Sequence, residues 1–260
     1  EAAVSAMTEP MASHDVTAFF LLSQQVAQHE KVVLSGQGAD EVFAGYHYHQ
    51  KLASVPIDRA AQAFNSAFAD RPADSLAAMV EPDLLPRDDV SFDLIADQMM
   101  APGADSALDA VLRLDTHLLM VDDPVKRVDN MSMAFGLEAR VPFLDQDLVA
   151  LAATCPPHLK ASRGGKSIVK DVARGLLPDE IIDRRKGYFP VPAFSELQEP
   201  VLTTIRDALG SVKARNRGLF QQPYIDRLLA APNHSRVATG GNELWQIAVL
   251  ELWLQLHEVG

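Results

Sequence analysis

The sequence predicts a mostly helical α/β domain organised around one short strand of the buried, parallel kind. Three observations lead there. Apolar residues recur at helical spacing along most of the chain, and a single β-branched run at 31–34 stands out among them. The Pro- and Gly-rich points (72–73, 102–103, 155–157, 164–165, 190–192 and 240–241) are spaced like connections between helices. With 260 residues, 48% of them apolar, the chain can bury a sizeable core, and without internal repeats or low-complexity segments residues 1–260 read as one domain.

Taken in order, a first helix is predicted over 15–27, where Val16, Phe19, Phe20, Leu22 and Val26 fall at helical spacing behind Asp15 as N-cap. The run at 31–34 then enters the turn Ser35-Gly36-Gln37-Gly38, which suits a buried parallel strand better than a hairpin arm. Helical spacing returns over 39–51 through Val42, Phe43 and Tyr46. Further helices are expected near 57–69, 73–80, 104–121, 145–154, 165–175, 196–209, 222–230 and 242–257. One strand cannot make a sheet alone, so its neighbours are expected from residues outside this sequence or from another chain. Such an unpaired edge favours association of copies, in the simplest case a homodimer.

Composition excludes several functions. A net charge of -12 and an isoelectric point near 5.0 do not suit a protein that grips nucleic acid, which needs a basic face, so a small molecule or a protein is the expected partner. Cys155 is the only cysteine, which rules out an internal disulfide and a Cys-based zinc site. No uninterrupted apolar stretch of ~18 residues suggests a membrane span, and the chain is expected to be cytoplasmic. The first residues, EAAVSAMTEPMASHD, carry neither an initiator Met nor a signal-peptide pattern and read as an internal point of a longer chain.

The segment KVVLSGQGADEVFAGY poses the first chemical question. Asp40 and Glu41 stand where a phosphate-binding loop would want a cation. Either they complement the positive end of a helix, a contribution of ~0.3–1 kcal/mol each, or the turn's N–H groups face phosphates while Asp40, supported by Glu41, holds a bridging Mg²⁺. His47 and His49, two apart on a helix, point ~200° away from each other and cannot share a metal, so solvated or capping roles are expected. Cys155, before two prolines, is expected to be a buried structural thiol.

Two further blocks concentrate charge. Residues 122–145 place Lys126, Arg127, Asp129, Glu138, Arg140 and Asp145 among bulky apolar residues, an arrangement that gives either structural salt bridges or the wall of an active site. Residues 164–192 end on Arg184, Arg185 and Lys186 before Gly187-Tyr188-Phe189-Pro190, either a solvated basic cluster or a cation held toward phosphate or a developing oxyanion.

With the closing segment NELWQIAVLELWLQLH, these blocks in this order resemble the synthetase domain of the glutamine-hydrolysing asparagine synthetases, with residues 1–260 corresponding to its C-terminal portion. The resemblance implies an α/β fold of the adenine nucleotide α-hydrolase-like (ATP-pyrophosphatase) type. It also implies a two-step reaction: a carboxylate attacks the α-phosphate of ATP, pyrophosphate leaves with Mg²⁺, and ammonia displaces AMP from the acyl-adenylate. The carboxylate expected is aspartate or a Gln-containing dipeptide, and the ammonia is expected from glutamine hydrolysed in an N-terminal glutaminase domain. Ser35, Gly36, Gln37 and Gly38 match the family's ATP-contacting turn, Asp40 with Glu41 its metal position, and Lys186 its catalytic cation.

Three departures accompany the resemblance. Gln37 stands where the family has Glu and cannot accept a proton, so the role of general base is expected to be dropped or to move, with Asp129 as candidate. The family's Ser-Gly-Gly-x-Asp-Ser pyrophosphate loop is not among these residues; the nearest strings are RGGK and TGGN. The glutaminase domain is also missing, and the chain alone is expected to be inactive. SGQGADEVFAGYHYH with RRKGYFPVP is similar, more narrowly, to the subgroup that amidates N-acetylglutaminylglutamine. Two alternatives stay open: intramolecular ring closure through the adenylate, as in β-lactam synthetases, and an inactive regulatory or scaffold subunit.

Overall fold

Apolar spacing that persists across charged residues sets the longest element of the fold. The computed structural model describes residues 1–13, 15–71, 73–184, 196–238 and 240–259. After one helical turn at Ala2–Ser5, helix α1 (Asp15–Val26) leads to β1 (Val32–Leu34), the short α2 (Ala39–Val42) and α3 (His47–Leu52). Next come α4 (Ala60–Phe68), α5 (Val90–Met100), α6 (Ala107–Leu114) and α7 (Lys126–Met133). Between α6 and α7 the chain stays helical through two wide π turns, Asp115–Leu119 and Val121–Val125, so that one unbroken rod runs from 107 to 133. Pro124, which has no N–H to donate, is accommodated inside the second wide turn.

The rod delivers the chain to β2 (Glu138–Arg140), which lies parallel to β1 with Val32 opposite Glu138, Val33 opposite Ala139 and Leu34 opposite Arg140. This corrects the expectation of a single strand whose neighbours lie elsewhere: a partner is contributed by this chain. Charged Glu138 and Arg140, two residues apart, conceal the strand in the sequence, and both face outward. Leu34 remains 76% exposed at the end of β1.

Among the helices that follow are α8 (Gln146–Thr154), α9 (Ser167–Ala173), α10 (Val201–Leu209), α11 (Gln222–Ala230) and α12 (Glu243–Leu256). Three apolar clusters result. α12 is apolar nearly all round and is the centre of the largest, where Leu244, Ile247 and Val249 meet Met7, Met131, Ile205 and Leu228. Trp253 Nε1–H donates to the Met7 carbonyl at 2.9 Å, joining the first and last segments. Tyr48, Phe64, Met99, Leu108 and Val111 form a second cluster from α3 to α6. A small third one, Val42 and Phe43 against Leu144, Leu148 and Val149, lies beneath the turn that follows β1.

Two further differences from the sequence reading have local causes. The helix expected over 39–51 is broken after one turn, because Ala44 adopts a left-handed conformation (φ 58°). Apolar spacing does not reveal α5; its charges Asp93 and Asp97 dilute the pattern, while Asp89 caps it by accepting from Phe92 N–H at 3.0 Å. No helix among the described residues is long and apolar enough to cross a membrane. Phe64 is fully buried in the second cluster, so Phe64→Ala is expected to cost about 3–5 kcal/mol in urea unfolding; Leu176→Ala, at a site 76% exposed, is expected to change stability by no more than ~0.5 kcal/mol.

Candidate functional site

The turn after β1 is built by the strand pairing and by two steric demands on glycine. Ser35 N–H donates to the Arg140 carbonyl at 2.7 Å, continuing the ladder past the end of β1. Gln37 N–H then reaches back to Ser35 Oγ at 3.4 Å. Gly38 has φ 91°, and a Cβ there would lie 2.5 Å from Leu144 Cδ2, so conformation and space both require glycine. Val42 N–H closes on the Gly38 carbonyl at 2.9 Å and starts α2.

A second loop is seated on the end of α2. At 163–166 four consecutive residues have left-handed φ values: Arg163 51°, Gly164 81°, Gly165 90° and Lys166 55°. Such conformations cost non-glycine residues on the order of 1–3 kcal/mol each and persist only where the surroundings enforce them. Here Lys166 N–H donates to the Phe43 carbonyl at 2.9 Å, and a Cβ on Gly165 would sit 2.1 Å from the Ala44 carbonyl oxygen. Ser162 and Ser167 hydrogen-bond each other across the base of the loop. Lys166 Nζ thereby reaches Asp40 Oδ1 at 3.1 Å. Asp40 in turn lies over Gly45, where a Cβ would fall 1.9 Å from the same Oδ1.

Glu41, the neighbouring carboxylate, goes the other way. Consecutive helical residues diverge by ~100°, and the Glu41 side chain turns inward to 2% exposure, accepting from Tyr46 O–H at 2.6 Å. Burial raises its pKa, an effect only partly offset by that hydrogen bond. A second buried group adjoins it. Tyr46 N–H donates to His49 Nδ1 at 3.2 Å, so a neutral His49 ring carries its proton on Nε2 and donates it to Asp115 Oδ2 at 2.6 Å. Tyr48 O–H donates to the same oxygen at 2.9 Å. His49 and Asp115 are both fully buried, and burial raises the Asp115 pKa. Of the two expectations for His49, the capping one describes it and the solvated one does not. Asp115 Oδ1 has no hydrogen-bond partner among the described residues.

Two cavities flank the wide turn at Asp115–Leu119 and share Thr116, His117 and Val149. The larger, about 730 Å³, is lined by Asp129, Lys126, Asn130 and Gln146, and also by Leu144, the residue against which Gly38 is seated. Asp129 is thus linked to the turn through a shared cavity wall. The smaller, about 460 Å³, lies on the Glu41 side.

Of the residues singled out from the sequence, Ser35, Gly36, Gln37 and Gly38 form one turn, and Asp40 lies on α2 directly after it. Glu41 is a buried neighbour that turns away from Asp40 and accepts from Tyr46. Lys186 lies outside the described residues, as does its turn at 187–190. Most charges of the 122–145 block are structural: Lys126 pairs with Glu9, Arg127 with Asp15 and Asp123, Arg140 with Glu138, and Asp145 caps α8. Sequence reasoning misses Lys166. Its signal is the RGGK string, whose paired glycines bring a backbone close to α2.

The Asparagine synthase family model matches residues 1–255. The chain is 24% identical to asparagine synthetase [glutamine-hydrolyzing] 1 of Bacillus subtilis (strain 168), over 96% of this chain and 44% of that protein. It is 27% identical to a putative asparagine synthetase [glutamine-hydrolyzing] of Mycobacterium tuberculosis (strain ATCC 25618 / H37Rv), over 95% and 42% respectively. With asparagine synthetase [glutamine-hydrolyzing] 1 of Saccharomyces cerevisiae (strain ATCC 204508 / S288c) it shares 29% identity over 66% of this chain and 24% of that protein. The chain therefore spans less than half the length of these relatives, and across nearly all of its own length it belongs to the asparagine synthase family.

Proposed function

We propose that this chain forms part of the nucleotide site of an ATP-dependent, glutamine-fed carboxylate amidase. In this reading β1 and β2 are two strands of a larger parallel sheet of the adenine nucleotide α-hydrolase type, and the turn at 35–38 meets the phosphates of ATP at the carboxyl end of β1. The observation that carries it is the Lys166–Asp40 pair at the foot of that turn, which brings a cation and a carboxylate together where a phosphate chain needs both.

The chemistry follows in two displacements. A substrate carboxylate oxygen bonds to the α-phosphorus of ATP as the bond to the bridging α–β oxygen breaks, and pyrophosphate departs. Ammonia then adds to the acyl carbon, AMP leaves with the bonding electron pair, and the surplus proton passes to a base. The backbone N–H groups of Gly36 and Gly38, with Lys166 Nζ, meet the negative charge on the departing group. Lys186 remains a candidate for a second cation. Gln37 can orient a reacting group by hydrogen bonding but cannot take the proton; Asp129, exposed in the cavity beside Leu144, is the proposed acceptor. The carboxylate substrate is proposed to be aspartate or a Gln-containing dipeptide.

The donor set fits Mg²⁺ of the kind held by one carboxylate together with phosphate oxygens and water. Asp40 would hold it, its carboxylate seated against Gly45 where a Cβ would collide; no group of three or more His, Cys, Asp or Glu among the described residues could form a cage of protein ligands alone. When bound, Mg²⁺ would supply charge neutralisation to pyrophosphate. Glu41, whose carboxyl accepts from Tyr46, stays a candidate for support of Asp40 from the buried side.

Two measurements test these assignments. The full-length protein should release AMP and pyrophosphate, but not ADP, when glutamine and the right carboxylate are present, and Lys166→Ala should lower that rate by ~10²–10³, the loss typical of one electrostatic donor. Release of ADP, or a Lys166→Ala rate near the parent's, would overturn the reading. The second concerns pH. Glu41 has a raised folded-state pKa, so its favourable contribution is present below the ordinary carboxylate value and is lost as pH rises through the folded value. Glu41→Gln, which keeps an acceptor for Tyr46, should therefore melt at or above the parent temperature at pH 7, and the gap should close as pH falls toward ~4.

A further inference from the structure

We infer that the smaller cavity, lined by Lys160, Asp109 and Glu41, is a second ligand site for a small zwitterionic amino acid. It is separate from the nucleotide turn: neither Lys166 nor any residue of 35–38 lines it.

Lys160 carries the argument. It lies on the short helix Pro157–Ala161, is 3% exposed, and lines the cavity. Of the three hydrogen bonds an ammonium can donate, it makes one among the described residues, to the Ala152 carbonyl at 3.1 Å. A buried cation held by one neutral acceptor is costly unless an anion joins it. Burial accordingly lowers the Lys160 pKa, and Asp109 opposes that shift only in part.

The opposite sign is present in the same space. Asp109, within electrostatic reach of Lys160, accepts from Ser106 O–H at 2.7 Å through Oδ2. Asp105 and the inward-turned Glu41 add two more carboxyl groups to the lining. A simple carboxylate would satisfy Lys160 but would face these three acids, and a simple amine would meet the reverse problem. A molecule carrying both charges on one carbon can place its carboxylate on Lys160 and its ammonium toward Asp109. About 460 Å³ admits a small amino acid. The hydroxyl-bearing Thr116 and Thr154 supply further polar lining.

Cys155, part-exposed in the same lining, reports occupancy without any need for catalysis. The rate of Cys155 alkylation by iodoacetamide is read by peptide mass spectrometry on the full-length protein, with glycine and L-serine as probes. Both should slow alkylation saturably, by about tenfold at ten times the half-protecting concentration, as occupancy of one site requires. Acetate and methylammonium should protect far less at equal concentration. Lys160→Met and Asp109→Asn should each abolish protection by glycine, and loss in Asp109→Asn alone suffices if Lys160→Met does not fold. The inference is overturned if neither amino acid protects, if acetate protects as well as glycine, if both variants remain protected, or if Cys155 of the full-length protein never alkylates because other chain fills the space. None of these outcomes involves ATP, so they leave the proposed nucleotide site untouched.

Discussion

The candidate site depends on the seating of the 162–166 loop against the backbone of residues 43–45. Gly165 approaches the Ala44 carbonyl more closely than any side chain would allow, and Lys166 N–H is bonded to the Phe43 carbonyl. The Lys166–Asp40 ion pair cannot be what holds the loop. Both side chains are partly exposed, 29% and 22%, and such pairs are worth about 0–1 kcal/mol, less than the backbone conformations at 163 and 166 are asked to cost. The causal order is therefore reversed: buried main-chain contacts position the loop, and the loop positions the pair. That leaves the pair weak enough to be exchanged when another charge arrives.

Asp40 and Glu41 are adjacent in sequence and opposite in fate. One stays near solvent beside a lysine; the other enters a buried polar group that continues through Tyr46 to His49, Tyr48 and Asp115. Burying two carboxyls and a histidine is a poor route to stability, since each group loses its hydration. What the network provides is orientation. Tyr46 joins its two parts, through its hydroxyl on Glu41 and its N–H on His49, and so fixes how α2 and α3 leave the break at Ala44.

Much of the fold is legible in the sequence, and what is not has identifiable causes. The turn can be read because glycines spaced two apart after a β-branched run rarely mean anything but a tight bend, and most helices can be read from apolar spacing. β2 escapes because a three-residue strand reading Glu-Ala-Arg offers no β-branched or alternating apolar signal, its pairing being dictated by where the rod from 107 to 133 delivers it. The inward turn of Glu41 depends on Tyr46, five residues on and beyond a helix break that spacing alone does not reveal. Lys166 depends on a contact between segments more than 120 residues apart in sequence. Local pattern carries the elements, and long-range steric fit carries the site.

The two wide turns between α6 and α7 add an angular offset to an otherwise regular rod. In an α-helix each residue advances the side-chain direction by ~100°, so a turn that takes in an extra residue rotates everything beyond it without ending the helix. Before the offset, Leu108 and Val111 face the second apolar cluster; after it, Val128 and Met131 are buried while Asp129 and Asn130 line the larger cavity. The rod thus works as a phase shifter, serving one core with its first half and another core plus a cavity wall with its second. The chain's tolerance to length changes should follow the same logic: a single residue gained or lost at 115–125 alters which chemical groups face the cavity, whereas the same change in the exposed connections between helices alters only reach.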